Sequence, residues 1–341
     1  KSVSEIYAYL KPAIKEGYLI SNDKSYRALA LSSFHDEFDI ERLFSANSPS
    51  FTFSHDKVQQ AAYGLITPDE HASIHLKIGR LLLQSRNELQ LQEGVFELLN
   101  LFAQGLQLMD DKDEKRKIAE LCLIAGRKAK DSTSYSLGVR FLNMGKSLFQ
   151  PNSWVDHFDL TYNTLLELGE CEYLNDNPIK AEEYFKEILS NSKTNFEKLK
   201  VYFLHSSLYL KIGNTPKSLQ LGLDAMKLYD IRFPKKKGAI QVTTVFTLLK
   251  YLLLFSTRYR DPKSLLNLKD CKDEEIIAIN KFLIDLATSA YQQDQNLMML
   301  VVFEIIKSYI KNGFTDASGW GFSGFSVVVL SARSEERRVG K

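Results

Sequence analysis

The chain has 341 residues, 44% hydrophobic and 25% charged, with 44 Lys and Arg against 42 Asp and Glu, for a net charge of +2. That length allows two or three domains with a sizeable core, and the balance excludes a global electrostatic pull toward nucleic acid or acidic lipid. Three widely separated cysteines, Cys122, Cys171 and Cys271, exclude a disulfide framework and a paired-Cys metal site, and suit a reducing, cytoplasmic setting.

The chain opens on Lys1, almost directly in a helical pattern, which reads as a cut through a longer polypeptide. No basic stretch, apolar core and small-residue cleavage site follow one another there, so no secretory signal is expected. Ser4 reads as an N-cap, and Ile6, Leu10, Ala13 and Ile14 form one apolar face, with Pro12 a potential kink and Gly17 a stop. Tyr18 to Ile20 and Tyr26 to Leu31 read as short strands, Asn47 to Ser50 as a turn, and Phe51 to Phe53 as a last strand. Helix, short hairpin and helix in that order predict the wing and flank of a winged helix over residues 1–66.

From His55 onward the strand signal stops. Val58, Ala61, Ala62 and Leu65 keep helical spacing, and Pro68 opens a helix whose face carries Ile74, Ile78, Leu81 and Leu82. Further helices are expected at about 91–109, 113–131, 134–149, 155–174, 178–190, 195–212, 215–229, 239–257, 272–293 and 296–312. Short polar connections between so many helices predict a stacked array. Asn177-Pro178-Ile179-Lys180-Ala181 and Asn214-Thr215-Pro216-Lys217-Ser218 occupy equivalent turns 37 positions apart (214 − 177). Leu165, Leu168, Gly169, Ala181, Phe185 and Ile188 stand at the small and large packing positions of a tetratricopeptide-like (TPR-like) hairpin. The next unit departs by placing Gly222 where the first has Phe185. The fold class expected is therefore mainly α: a partial winged-helix segment, then an α-solenoid of TPR-like helical hairpins over 67–332.

Ala239 to Ser256 is nearly apolar but short for a membrane span, and Gln241 and Lys250 lie inside it. A buried core helix is the expectation, with no membrane partner. After Ala332 the run Arg-Ser-Glu-Glu-Arg-Arg-Val-Gly-Lys continues no earlier pattern, and 333–341 reads as a non-native tail.

Candidate chemistry is sparse. His71 and His75 share a helical face, as in a zinc-binding helix, but the residues between them supply no glutamate and no third ligand is evident, so no metal is expected. Gly319 to Gly324 matches G-x-G-x-x-G in letters only. A helix precedes it and no acidic residue follows at the required distance, so a close-packed helix or turn is expected. No phosphate-binding G-x-x-x-x-G-K-[ST] loop, G-x-S-x-G elbow or kinase catalytic loop is present, which excludes housing those chemistries in these residues. Lys235-Lys236-Lys237 reads as a solvated linker. Lys1, Lys11, Lys15 and Lys24 are interleaved with Glu5, Glu16 and Asp23, so no nucleic-acid face is expected.

The string Phe53-Ser54-His55-Asp56-Lys57-Val58-Gln59-Gln60-Ala61-Ala62-Tyr63, followed by His75-Leu76-Lys77-Ile78-Gly79-Arg80, resembles the segment after the ATPase core in STAND-class predicted ATPases, especially large multi-sensor signalling kinases. Ala125 to Lys130, Ser132 to Tyr135, Trp154 and Asn312 to Gly324 are similar to the helical region of the same proteins. The resemblance implies a regulatory or scaffolding module that follows a P-loop ATPase domain. ATP or ADP with Mg²⁺ would be bound in the parent and none of these in this segment. Its partners would be the upstream ATPase, neighbouring signalling domains and a protein on the helical array. The alternative it leaves open is the helical sensor region of an ATPase-type transcriptional activator. For His55 and Asp56 it implies contact with the phosphate of a nucleotide held by the ATPase domain, with Asp56 capping the following helix. The residues themselves also fit a plain cap that braces the junction. The family pattern has Met where this chain has Ser54.

Overall fold

The computed structural model describes residues 3–22, 50–261 and 269–326. The Tyr26–Leu31 strand, the 47–49 part of the expected turn, Lys1, Asp23 and Lys24, and the 333–341 tail lie outside the described residues. The chain forms two compact units, Lys1–Asn87 with Asn100–Asp110, and Glu88–Leu99 with Asp111–Lys341.

In the first unit, α1 (Val3–Lys15) runs through Pro12 without interruption. Ser4 lies inside this helix and is not its cap, because helical geometry begins one residue earlier. Gly17, at φ 74, ends it: the Tyr18 N–H reaches back to the Ala13 carbonyl, closing a left-handed turn that glycine adopts without a Cβ clash. β1 (Leu19–Ser21) and β2 (Phe51–Phe53) pair antiparallel, with Leu19 opposite Phe53 and Ile20 opposite Thr52. Then come α2 (Asp56–Gly64) and α3 (Pro68–Ser85). The Glu70 carboxylate accepts the Thr67 hydroxyl at 2.7 Å and the Thr67 N–H at 3.2 Å, which secures the start of α3 and lowers the Glu70 pKa.

The expected 91–109 helix is instead two. α4 (Glu88–Glu93) and α5 (Val95–Gly105) are separated at Gly94, and a 3-10 turn covers Leu106–Leu108. Within the first unit Gly79 lies against the Phe102 ring, so a Cβ there would sit 3.1 Å from it.

The second unit is a succession of antiparallel helix pairs. α6 (Lys112–Asp131) pairs with α7 (Tyr135–Ser147). A single turn, α8 (Ser153–Asp156), precedes α9 (Phe158–Leu174), which pairs with α10 (Pro178–Asn191). α11 (Asn195–Lys211) pairs with α12 (Thr215–Lys227), and α14 (Glu274–Gln293) with α15 (Gln295–Asn312). α13 (Lys237–Thr257) lies between the last two pairs in sequence, and helical backbone continues over 316–326. The described residues are thus mainly α, in a solenoid-like order of hairpins.

The first three hairpins share one turn. Thr133, Asp176 and Gly213 all have positive φ (59°, 65° and 78°). The next residue in each case donates its N–H five positions back: Ser134 to Ala129, Asn177 to Glu172 and Asn214 to Tyr209, at 2.8–2.9 Å. This is a Schellman closure, which satisfies helix-end carbonyls that would otherwise lack partners. The third instance, at Thr133, extends the repeat that the Asn-Pro and Asn-Thr-Pro turns announce.

Close packing follows the same register. A Cβ on Gly126 would overlap Leu142, and one on Gly169 would lie 2.7 Å from the Phe185 ring. In the third hairpin Ser206 takes the small position and Gly222 the facing one. The space at Gly222 is occupied from the next hairpin, because Leu286 of α14 comes within 2.6 Å of where its Cβ would be. The departure of this repeat from the first is therefore a docking notch. Beside it, Ser206, Ser218 and Ser289 form a buried chain of hydroxyls at 3.0 and 2.9 Å, which satisfies polar groups that burial would otherwise penalise. One apolar cluster centres on Leu165, Leu168, Phe185 and Val201, and a second on Phe282, Leu286, Val301 and Ile306.

α13 corrects the expectation of a buried core helix. Only Ile240, Thr244 and Tyr251 are buried. They face α15 in parallel: Thr244 Oγ1 donates to the Asn296 carbonyl at 3.1 Å, and Tyr251 stacks on Phe303 at 5.2 Å. The helix is long and apolar enough to cross a membrane by length and composition, yet only 17% of its most apolar window is buried. Leu248, Leu254 and Phe255 are half-buried against the same core, while Val242, Val245, Phe246, Leu249, Leu252 and Leu253 are exposed.

Candidate functional site

His55 and Asp56 lie where β2 hands over to α2, as expected, and both are exposed. The capping roles are reversed. His55 is the N-cap, with extended backbone and its Nδ1 accepting the Lys57 N–H at 3.1 Å, while Asp56 is the first helical residue. An accepting Nδ1 leaves Nε2 as the N–H donor of an exposed ring beside a helix N-terminus. Asp56 adds negative charge at the positive end of the helix dipole.

His71 and His75 do share a face of α3, with ring centroids 6.3 Å apart. Their partner is aromatic: Tyr63 sits 4.3 Å from the His71 ring, and its hydroxyl lies 2.5 Å from His75 Nε2. The same hydroxyl lies 3.5 Å from Gln104 Oε1. The cluster ties α2, α3 and α5 together. Among the described residues no group of three or more His, Cys, Asp or Glu is placed to hold a metal ion.

The Ala125 to Lys130 string acts residue by residue as a helix-packing device. Ala125 and Ala129 are buried, and Gly126 admits Leu142. Arg127 Nε meets Glu167 at 2.7 Å, and Lys130 Nζ meets Glu167 and Glu170 at 2.5 and 2.7 Å. Burial alone opposes the Lys130 charge, but the two carboxylates outweigh it and raise its pKa above the ordinary lysine value. Lys128 Nζ donates to the carbonyls of Gln92 and Glu93, both at 3.1 Å, near the end of α4. The G-x-G-x-x-G letters lie in helix, as expected, with Gly321 and Gly324 packed against Ile305 and Val302 and Gly319 facing open space.

One concave site carries a charged cluster that sequence reasoning missed. A cavity of about 550 Å³ opens between the second and third hairpins, lined by Tyr173, Pro178, Glu182, Tyr209 and Lys217 among others. Lys217 Nζ donates to Glu182 at 2.6 Å and to the Tyr209 hydroxyl at 2.5 Å, and Tyr209 also bonds Glu182. These bonds lower the Glu182 pKa and raise that of Lys217, so both are charged near neutrality. The Tyr173 hydroxyl is buried without a hydrogen-bond partner, and burial pushes its pKa up to about 12. Behind the wall the His205 ring lies tilted against Phe185 and Tyr209, and burial lowers its pKa to about 4. Only the hairpin turns were readable beforehand. The Tyr209–Lys217–Glu182 triad joins two hairpins, and no short motif marks it.

The fold and this groove define a helical-hairpin array with a recess between repeats that carries the Glu182–Lys217 ion pair. No family model matches the chain. It is similar to hybrid signal transduction histidine kinase G of Dictyostelium discoideum, at 23% identity over 323 aligned residues. The match takes in 82% of this chain and 9% of the relative.

Proposed function

We propose that this chain is a regulatory and scaffolding module within a much larger multidomain signalling protein. The observation that carries the reading is the similarity to a hybrid signal transduction histidine kinase, which runs through most of this chain yet occupies a small fraction of that protein. Stacked hairpins support it, since each contacts chiefly its neighbours and leaves recessed surfaces for docking. In this reading the Glu182–Lys217–Tyr209 recess, which Pro178, Ile179 and Ile212 also line, receives a segment of a protein partner. The parent protein carries the phosphotransfer chemistry.

At a finer level, the module follows the P-loop ATPase domain of a STAND-type protein, with residues 1–66 as the end of its winged helix. The Nε2–H of His55 then donates to a phosphate of ADP held by that domain. The broader reading is tested by deleting 112–312 from the parent and measuring phosphotransfer with and without its stimulus. Loss of regulation with basal phosphotransfer retained is expected, and unchanged regulation would overturn it. The finer reading is tested by His55→Ala in the parent. Faster ADP release is expected, and unaltered retention would reduce His55 to a cap.

A further inference from the structure

The outward face of α13 is apolar along three turns. Val242, Val245, Phe246, Leu249, Leu252 and Leu253 recur at helical spacing, opposite the Thr244–Tyr251 edge that packs on α15, and Phe246 is 69% exposed. At 1.5 Å per residue the stripe runs for about 17 Å. The flanks of this stripe are basic. Lys235, Lys236 and Lys237 precede the helix turns that carry it, Lys250 lies within them, and Arg258 and Arg260 follow, all exposed. From Ile231 to Arg260 there is no Asp or Glu, in a chain whose acids and bases are otherwise nearly equal in number. Acids lie just outside it: Asp224 feels Lys235, Asp230 pairs with Arg232 at 3.6 Å, Asp261 follows Arg260, and Glu304 of α15 acts on Tyr251.

We propose that α13 docks in the plane of an anionic lipid surface, with the stripe entering the headgroup–acyl boundary and the flanking lysines and arginines meeting lipid phosphates and carboxylates. Charge selects this occupant. A second copy seated on the stripe would bring a second set of like charges against the first. A spanning orientation would put Lys250 in the hydrocarbon and require the α15 packing to be given up. An apolar face with basic ends, held parallel to its supporting helix, meets the requirements of an interfacial helix. Attraction to anionic lipid adds to apolar burial and fades with salt. This docking is independent of the signalling reading and of the recess on the other hairpins.

The test is sedimentation of the full chain with vesicles of phosphatidylcholine alone and of phosphatidylcholine with phosphatidylserine. Binding to the phosphatidylserine vesicles only, released by salt, is expected. Phe246→Glu with Leu249→Glu should lower the partition coefficient by about tenfold or more, with the far-ultraviolet circular dichroism unchanged. Replacing Lys235, Lys236 and Lys237 by Gln should lower it by up to about a hundredfold. This second variant alters only exposed side chains and carries the test should the first fail to fold. Equal binding to both vesicle types, no binding to either, or binding indifferent to the lysine replacements would overturn the proposal. So would a stripe-dependent dimer in sedimentation velocity that persists without lipid.

Discussion

The second and third hairpins close with the same left-handed turn and the same backbone hydrogen bond, yet they fill their central positions in opposite ways. In the second, Gly169 receives Phe185 from its own partner helix. In the third, Ser206 faces Gly222, and the bulk comes from Leu286 of the following hairpin. The second hairpin is therefore internally complete, whereas the third is a joint whose stability depends on its neighbour. Repeat register is set by the turns, and the direction of docking by where the large side chain originates.

The largest expected effect tests the self-contained hairpin. Phe185 is fully buried, so Phe185→Ala should cost about 3–5 kcal/mol in urea denaturation. The next is pH dependence at the wall between the two hairpins. His205 has its pKa lowered to about 4 by burial, against about 6.5 unfolded. The unfolded chain therefore binds more protons between these values. The contribution is complete above pH 6.5 and lost as pH falls toward 4, by up to about 3 kcal/mol. His205→Phe should flatten that part of the stability profile; an unaltered slope would show another group responsible. Third, Gly222→Ala crowds Leu286 and should cost about 1–3 kcal/mol. Leu286→Ala in the same chain should then show strong coupling in a double-mutant cycle, and simple additivity would mean the notch is not filled as described. Smallest is the turn itself. Asp176→Gly should stabilise and Gly213→Ala destabilise, each by about 1 kcal/mol, because both positions hold positive φ.

The hairpins at 177 and 214 were legible because Pro and Asn mark helix starts after a break. The break between the 113–131 and 134–149 helices was also legible, but the turn at Thr133 carries neither Pro nor Gly, so its kinship with the other two shows only in its backbone. Gly222 looked like a weakened repeat because its filling residue lies far along the chain. The expected cap at Asp56 moved by one residue because an imidazole nitrogen can accept the helix N–H as a carboxylate does. The orientation of α13 was hidden for a different reason. It is apolar on both sides, so periodicity could not tell which face meets protein. The recess at Tyr209, Lys217 and Glu182 required two hairpins to be set side by side, which no local pattern encodes.

The buried hydroxyl chain through Ser206, Ser218 and Ser289 lies at the joint between the third hairpin and α14. Hydroxyls can exchange donor and acceptor roles in concert, so such a seam tolerates small sliding without leaving a polar group bare. Under tension along the array, this joint would give before the neighbouring aromatic core did. A single-molecule pulling trace should record its rupture as the earliest and lowest-force event, with the Phe185 hairpin the last to extend.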